Sequence, residues 1–286
     1  MNTRFTVILY RFDWELPLGC FQIRPGRREL IKKIVLSFIV VFLLAGVSLA
    51  AGDIVYVPQV GHGAGFETSF VFMNLSATTN RLEVRAYDSD GLPVDLLKDP
   101  GSALVTPSEA NVIGVEVPGY GVSEAVTLNA DINTLQVGYA EVSSDLDEPF
   151  GVEAVFRTYS GSNLVTATSV LPVDPARQFS FIAYADGWNR TGIALLNPAG
   201  NGAAADVTMT LLDKNGDEAD ELVVNLAAGG KTTLFIDELF ADYFSTADDF
   251  LGSVEVDSTQ PVTATILKFE GAFMTTQTIQ PSRDME

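Results

Sequence analysis

The sequence predicts an all-β protein: two tandem antiparallel β-sandwich modules related by an internal repeat and preceded by a signal-peptide helix. Three observations support this prediction. Segments recur in the same order along the chain, apolar and polar side chains alternate within them, and Asp-Gly and Asn-Gly pairs punctuate the strand-like runs. Short strands at regular spacing with turn signals between them are typical of sandwich folds.

The internal repeat is read from four matched segments, which lie about 110–125 residues apart. The matches are 65–75 with 187–198, 82–91 with 207–216, 118–119 with 229–230, and 138–144 with 252–258. The repeat predicts a leader at 1–50, a first module at 51–171 and a second module at 172–286, with the boundary near 171–175.

Within the modules, side chains alternate with a period of two, as in 82–87 and 207–212. This alternation places one face of a strand on a core and the other in water. Asp90-Gly91 and Asn215-Gly216 predict two-residue hairpin turns, because these pairs tolerate positive φ. One short helix is predicted over 238–244, with Asp237 as its N-cap.

The leader has the order of a secretory signal peptide. Lys32 and Lys33 precede the apolar run Ile34–Val47, and small residues follow it, which predicts cleavage after Ala50 and a secreted or periplasmic product. The run is short for a membrane span, which needs about 20 apolar residues. Three alternatives stay open: an uncleaved anchor, twin-arginine export through Arg27-Arg28, and an untranslated 1–29 segment with a start at Leu30.

The chain is strongly acidic, with 37 Asp and Glu against 17 Lys and Arg and a formal net charge of −20. Such a charge disfavours nucleic acid and anionic membrane surfaces as partners. Cys20 is the only cysteine and lies in the leader, so the exported part forms no disulfide. His62, the only histidine, lies in a glycine-rich stretch that predicts a solvated loop. Cys–His catalysis and Cys/His zinc sites are thereby excluded.

Two candidate sites remain. Phe66 and Trp188 occupy matched positions after a glycine, where an exposed aromatic ring either stacks on a ligand or plugs one end of the sandwich. Asp213, Asn215 and Asp217 alternate as the oxygen ligands of a calcium loop do, although the glycine and glutamate positions depart from that loop and a plain hairpin turn explains the pattern equally.

No nucleophile motif is present, so we predict no catalytic residue and, calcium aside, no cofactor. The leading functional interpretation is a non-enzymatic cell-surface or periplasmic binding module with a protein or polysaccharide partner. A secreted carbohydrate-active enzyme and a self-assembling surface protein are the alternatives, and the oligomeric state is left open.

The second copy also resembles a known family. Its order runs from Ala194-Leu195-Leu196-Asn197 through 207–216 and 227–231 to 250–256 and Gln260-Pro261-Val262. This order is similar to the small β-sandwich of the sensory rhodopsin transducer family and to tandem modules of secreted bacterial proteins. The resemblance implies a fold, and with it self-association or carbohydrate contact. Members of the transducer family are cytoplasmic, whereas this chain has a leader, so light signalling is not implied.

Overall fold

The computed structural model is built almost entirely of antiparallel β-sheet, which confirms the predicted all-β class. The described residues belong to one compact unit. The predicted signal-peptide helix, within residues 1–47, lies outside them. The structure describes residues 48–50, 54–94, 97–98, 104–105, 111–128, 133–146, 148–246 and 249–281.

We call residues 54–170 the first half and residues 176–281 the second half. Strand β1 lies before the first half, and the described residues of the first half contain ten further strands, β2 to β11. These strands are β1 (Ser48–Ala50), β2 (Val55–His62), β3 (Phe66–Asn74), β4 (Asn80–Tyr87), β5 (Leu97–Lys98), β6 (Leu104–Val105), β7 (Val112–Val117), β8 (Val122–Leu128), β9 (Gln136–Ser144), β10 (Phe150–Ser160) and β11 (Asn163–Val170).

The second half continues the all-β pattern with three short helical turns. Its strands are β12 (Ala176–Ala185), β13 (Asn189–Leu196), β14 (Ala205–Asp213), β15 (Glu218–Leu226), β16 (Lys231–Phe235), β17 (Phe250–Glu270), β18 (Phe273–Gln277) and β19 (Gln280–Pro281). A 3₁₀ turn spans Ala199–Asn201, and helices α1 (Ile236–Leu239) and α2 (Ala241–Phe244) follow β16.

The first half has two sheets around one core. One sheet has the order β2-β9-β4-β7-β6, and the other has the order β1-β10-β3-β8-β5 with β11 beside β10. The predicted alternation holds, because Leu82 and Val84 point into the core while Glu83 does not. Phe70 and Phe72 reach the same core from the other sheet. Burial of this apolar surface is the main stabilising contribution.

In the second half one long strand joins both layers. The first part of β17 pairs with β12 and β14, and its last part pairs with β13 and β18. Strand β15 extends the sheet beyond β14, and β16 extends it beyond β13. Phe181, Val207 and Ile193 come from three of these strands and pack in one core.

A buried asparagine closes a corner of each half. The amide nitrogen of Asn74 donates to the carbonyl oxygens of Thr78 at 2.7 Å and Val117 at 3.0 Å. The amide nitrogen of Asn197 donates to those of Ala203 at 2.9 Å and Leu226 at 3.0 Å. Each side chain thereby satisfies carbonyl groups that a turn leaves without a backbone partner.

The two halves meet at an apolar contact and at a polar junction. Leu267 and Met274 of the second half pack in the core of the first. The backbone N–H of Lys231 donates to Ser89 O at 2.9 Å. Its ammonium group donates to Gln59 Oε1 at 2.5 Å and to Gly138 O at 2.7 Å. Lys231 is only 6% exposed, and this burial lowers its pKa to about 7. The hydrogen bonds therefore hold residues of the second half against two strands of the first.

Two local predictions are wrong. The predicted helix forms as two short turns, and its start is not capped by Asp237: the backbone N–H of Phe235 donates to Glu238 Oε2 at 3.0 Å. His62 is not a solvated loop residue, since it ends strand β2 and is buried. That burial lowers the pKa of His62, while the neighbouring Gln136 opposes the shift.

Candidate functional site

An open groove of about 680 Å³ lies at one end of the second half. The loop before β13, the turn after β14, helix α2 and the start of β17 form its walls. Its principal lining side chains are Asp186, Trp188, Asp213, Lys214, Tyr243 and Leu251. The groove therefore brings together Trp188 and Asp213, which belong to two separate candidate sites of the sequence.

Trp188 is 63% exposed and stands on an ordered turn. Asp186 Oδ1 accepts the backbone N–H groups of Trp188 at 2.7 Å and Asn189 at 2.6 Å. Gly271 N donates to Trp188 O at 3.0 Å. A Cβ at Gly271, whose φ is +58°, would lie 2.8 Å from two ring atoms of Trp188. The ring thus packs closely on a glycine, and its orientation is fixed although its surface is open to solvent.

The opposite wall of the groove is apolar. Tyr243 on α2 packs edge-to-face against Phe250 with ring centroids 5.8 Å apart, and Phe244 supports Phe250 in the same way at 5.6 Å. Leu251 follows and is 53% exposed. The pairing with Phe250 connects Tyr243 to the core of the second half.

The acidic side chains of the groove are held in their ionised form. Backbone and side-chain hydrogen bonds from Asn189, and the N–H of Trp188, lower the pKa of Asp186. Backbone hydrogen bonds from Asp217 and Asn215 likewise lower the pKa of Asp213. Both groups act as hydrogen-bond acceptors at neutral pH.

The three candidate calcium ligands form a hairpin turn. Asp213 Oδ1 accepts the backbone N–H of Asn215 at 2.8 Å and that of Asp217 at 3.0 Å, and Asn215 Nδ2 donates to Asp213 Oδ2 at 3.1 Å. In the described part of the chain no group of three or more His, Cys, Asp or Glu residues could hold a metal ion. The carboxylate of Asp213 is directed to its own backbone.

Phe66, the matched partner of Trp188, is placed differently. It begins β3 opposite Thr158, is 37% exposed, and is not among the residues that line the groove. Three groove residues, Asp186, Tyr243 and Leu251, were not among the site residues predicted from the sequence. Only Asp186 carries a local signal, because an aspartate before Gly187 is typical of a side-chain-capped turn.

Within the described residues no helix is long and apolar enough to cross a membrane. Comparison of the chain with protein-family models, with curated proteins and with solved structures finds no match. The resemblance to the sensory rhodopsin transducer family therefore stays a prediction.

Proposed function

We propose that this chain is an exported, non-enzymatic binding protein of the cell surface or periplasm, and that the Trp188 groove binds a polysaccharide. One observation carries the proposal: an indole ring that is 63% exposed is held in a fixed orientation inside a groove with ionised acceptors. An exposed aromatic ring in a groove with polar acceptors combines the apolar and polar contacts that a ligand site needs.

The chemistry of the groove suits a sugar. The apolar face of a pyranose packs on an aromatic ring, and its hydroxyl groups donate to carboxylates. Trp188 and Tyr243 supply rings. The carboxylates of Asp186 and Asp213 each accept three hydrogen bonds within their turns and have about four acceptor sites, so a hydroxyl group can still donate to each. An anionic polysaccharide would be repelled by these groups, so the proposal favours a neutral one.

The same carboxylates argue for binding rather than hydrolysis. A glycoside hydrolase needs one carboxylic acid whose pKa is raised, so that it can protonate the leaving group. In the groove, hydrogen bonds lower the pKa values of Asp186 and Asp213. We therefore place the carbohydrate-active enzyme second.

The tandem arrangement is part of the proposal, and the strand pairing supports it. The order β2-β9-β4-β7 in the first half corresponds to β12-β17-β14-β15 in the second. Likewise β10-β3-β8 corresponds to β17-β13-β16. The corner residues Asn74 and Asn197 occupy equivalent ends of β3 and β13. On this interpretation the two halves are sandwich copies, and β17 fuses two strands that are separate in the first copy.

Export through the leader completes the proposal. Cleavage after Ala50 would remove Ser48–Ala50, which pairs with Phe150–Val152 of β10. Since β10 also pairs with β3 along this segment, the sheet keeps its other partner after cleavage. Mass spectrometry of the secreted protein should find Ala51 as its first residue.

A glycan array tests the binding role. We expect the mature protein to bind a neutral polysaccharide and Trp188→Ala to lose at least tenfold in affinity, because a buried aromatic anchor contributes about 2 kcal/mol or more. Phe66→Ala is the matched control and should bind as the wild type does. Binding that is unchanged in Trp188→Ala would contradict the assignment of this groove.

A further inference from the structure

The polar junction between the halves uses two surfaces, and strand pairing identifies a counterpart of each in the other half. We call Gln59 and Tyr139 the acceptor face of the first half. Gly138 pairs with Val60, the residue after Gln59, and Gly252 pairs with Ala183, the residue after Ile182. Gln59 lies in the irregular stretch between Val57 and Val60, where the second half has Ile182 opposite Ser253. The acceptor face of the second half is therefore Ile182 with Ser253.

The second surface is a corner that docks onto the acceptor face. In the second half this donor corner consists of Gly229 and Lys231, and Lys231 pairs with Leu196, the residue before Asn197. In the first half Val122 pairs with Met73, the residue before Asn74. The donor corner of the first half is therefore Tyr120 with Val122, and the match of 118–119 with 229–230 that the sequence suggested is wrong by two residues.

Inside the chain these two surfaces bury each other. Lys231 hydrogen-bonds Gln59, and a Cβ at Gly229 would lie 3.4 Å from the hydroxyl oxygen of Tyr139. Gln59, Tyr139 and Lys231 are all buried. The internal junction thus pairs a lysine with a glutamine and a glycine with a tyrosine.

The two remaining surfaces are open. Ile182 is 52% exposed on the acceptor face of the second half, and on the donor corner of the first half Tyr120 is 74% and Val122 is 62% exposed. Beside Ile182 and Ser253 lies a groove of about 380 Å³, which Tyr184 also lines. It offers concave space next to a small side chain.

The open surfaces are complementary in chemistry. At the position where the internal junction has Lys231 against Gln59, the open surfaces present Val122 and Ile182, both apolar. Where the internal junction sets Gly229 against Tyr139, they present Tyr120 and Ser253, so the large and small residues have exchanged sides. Each open surface therefore has a partner of matching polarity and size on a second copy of the chain.

We propose that this protein associates head to tail, with the donor corner at Tyr120 and Val122 of one copy seated on the acceptor face at Ile182 and Ser253 of the next. The inference rests on the tandem arrangement proposed above. The contact joins different surfaces, so it is heterologous and gives an open filament or, where the rotation closes, a ring. By the same correspondence the donor corner of one copy would meet the Asp213 turn of the next, as Lys231 meets Ser89, and that turn lines the Trp188 groove. Assembly would therefore cover one wall of the groove.

This contact is tested on the mature protein by mixing two variants, each of which has one of the two surfaces disabled. Val122→Glu inactivates the donor corner, and Ile182→Glu inactivates the acceptor face. Light scattering after size-exclusion chromatography over a concentration series should show growing species for the wild type and monomers for each variant alone. An equimolar mixture of the two variants should give a dimer and nothing larger, since one functional contact remains. Leu164→Glu, at another exposed apolar strand position, should assemble as the wild type does.

A wild type that stays monomeric at all concentrations, or a variant mixture that stays monomeric, would overturn the inference. So would unchanged assembly of either single variant. Circular dichroism and thermal melting establish that both variants are folded before mixing. Glycan binding is measured on Val122→Glu alone, in which no neighbouring copy covers the groove, so a failure of the assembly and a failure of the proposed function are distinguishable.

Discussion

The hairpin turns that begin at Asp88 and Asp213 have the same internal hydrogen bonds but different surroundings. Asp88 Oδ1 accepts the N–H groups of Asp90 and Leu92, as Asp213 Oδ1 accepts those of Asn215 and Asp217. The first turn is docked: the backbone N–H of Lys231 donates to Ser89 O. The second turn lines the Trp188 groove instead.

The hydrogen bonds inside the two turns serve folding, whereas the residues that pack against each turn decide whether it is available for function. A turn needs an acceptor for its backbone N–H groups, and both turns supply an aspartate. What lies against the turn is set by tertiary packing. The second half packs on the Asp88 turn, whereas the Asp213 turn lines a groove that is open to solvent. Of the two turns, the Asp213 turn is therefore the one available to a ligand.

Of the substitutions that test this comparison, Lys231→Met should change the free energy of unfolding most. It alters only the junction at the docked Asp88 turn. In the native state Lys231 loses its proton above about pH 7, whereas the unfolded chain keeps it up to about 10.5. The unfolded state binds more protons in this window, so the stability of the wild type relative to the variant should rise with pH, by on the order of 4 kcal/mol in total.

The measurement is the free energy of unfolding in urea at a series of pH values from neutral to alkaline for both proteins. Taking the difference cancels the buried tyrosines, among them Tyr139 and Tyr56, whose pKa values burial raises in both proteins. Parallel curves for wild type and variant would show that burial does not lower the pKa of Lys231 in the native state.

Asn74→Ala and Asn197→Ala should each destabilise the protein by about 3 kcal/mol, since each strands several buried carbonyl groups. The effects should be similar, because the two side chains make equivalent hydrogen bonds. Chemical denaturation measures both, with Asn225→Ala, an exposed strand asparagine, as the control. A large loss of stability from only one of the two substitutions would show that the two corners are not equivalent.

Asp88→Ala and Asp213→Ala should give the smallest effect, a loss of about 1 kcal/mol each, as for other caps of backbone N–H groups. Asp→Asn at the same positions keeps the accepting oxygen and should retain most of the stability. Calcium should leave the melting temperature of the wild type unchanged. A rise that Asp213→Ala abolishes would reinstate the calcium site at Asp213, Asn215 and Asp217.

Much of the fold follows from local patterns. Alternation predicted the strands at Leu82 and Val207, and an Asn-Gly pair predicted the turn at Asn215. The continuity of β17 through Pro261 was not predicted, because a proline usually ends or borders a strand. Here the pairing changes from β12 and β14 to β13 near this residue, so its missing N–H falls at the transition.

The site was predictable only in part. Trp188 carried a signal as a large aromatic residue after a glycine in a turn. Tyr243 did not, since it reaches the groove from a helix whose apolar spacing only indicates packing. Lys231 gave no signal either, because its partner Gln59 is 172 residues away in sequence and local patterns do not report such contacts.

The most direct test uses the intrinsic fluorescence of the mature protein. The chain has two tryptophans, and Trp14 lies in the leader, so after cleavage Trp188 is the only tryptophan, and excitation at a wavelength that tyrosine does not absorb selects its emission. Titration with the neutral polysaccharide selected on the array should shift the emission of Trp188 to shorter wavelength and saturate, since a sugar that stacks on the ring excludes water. Saturable binding by calorimetry with no change in the emission would contradict the claim that Trp188 is the binding surface.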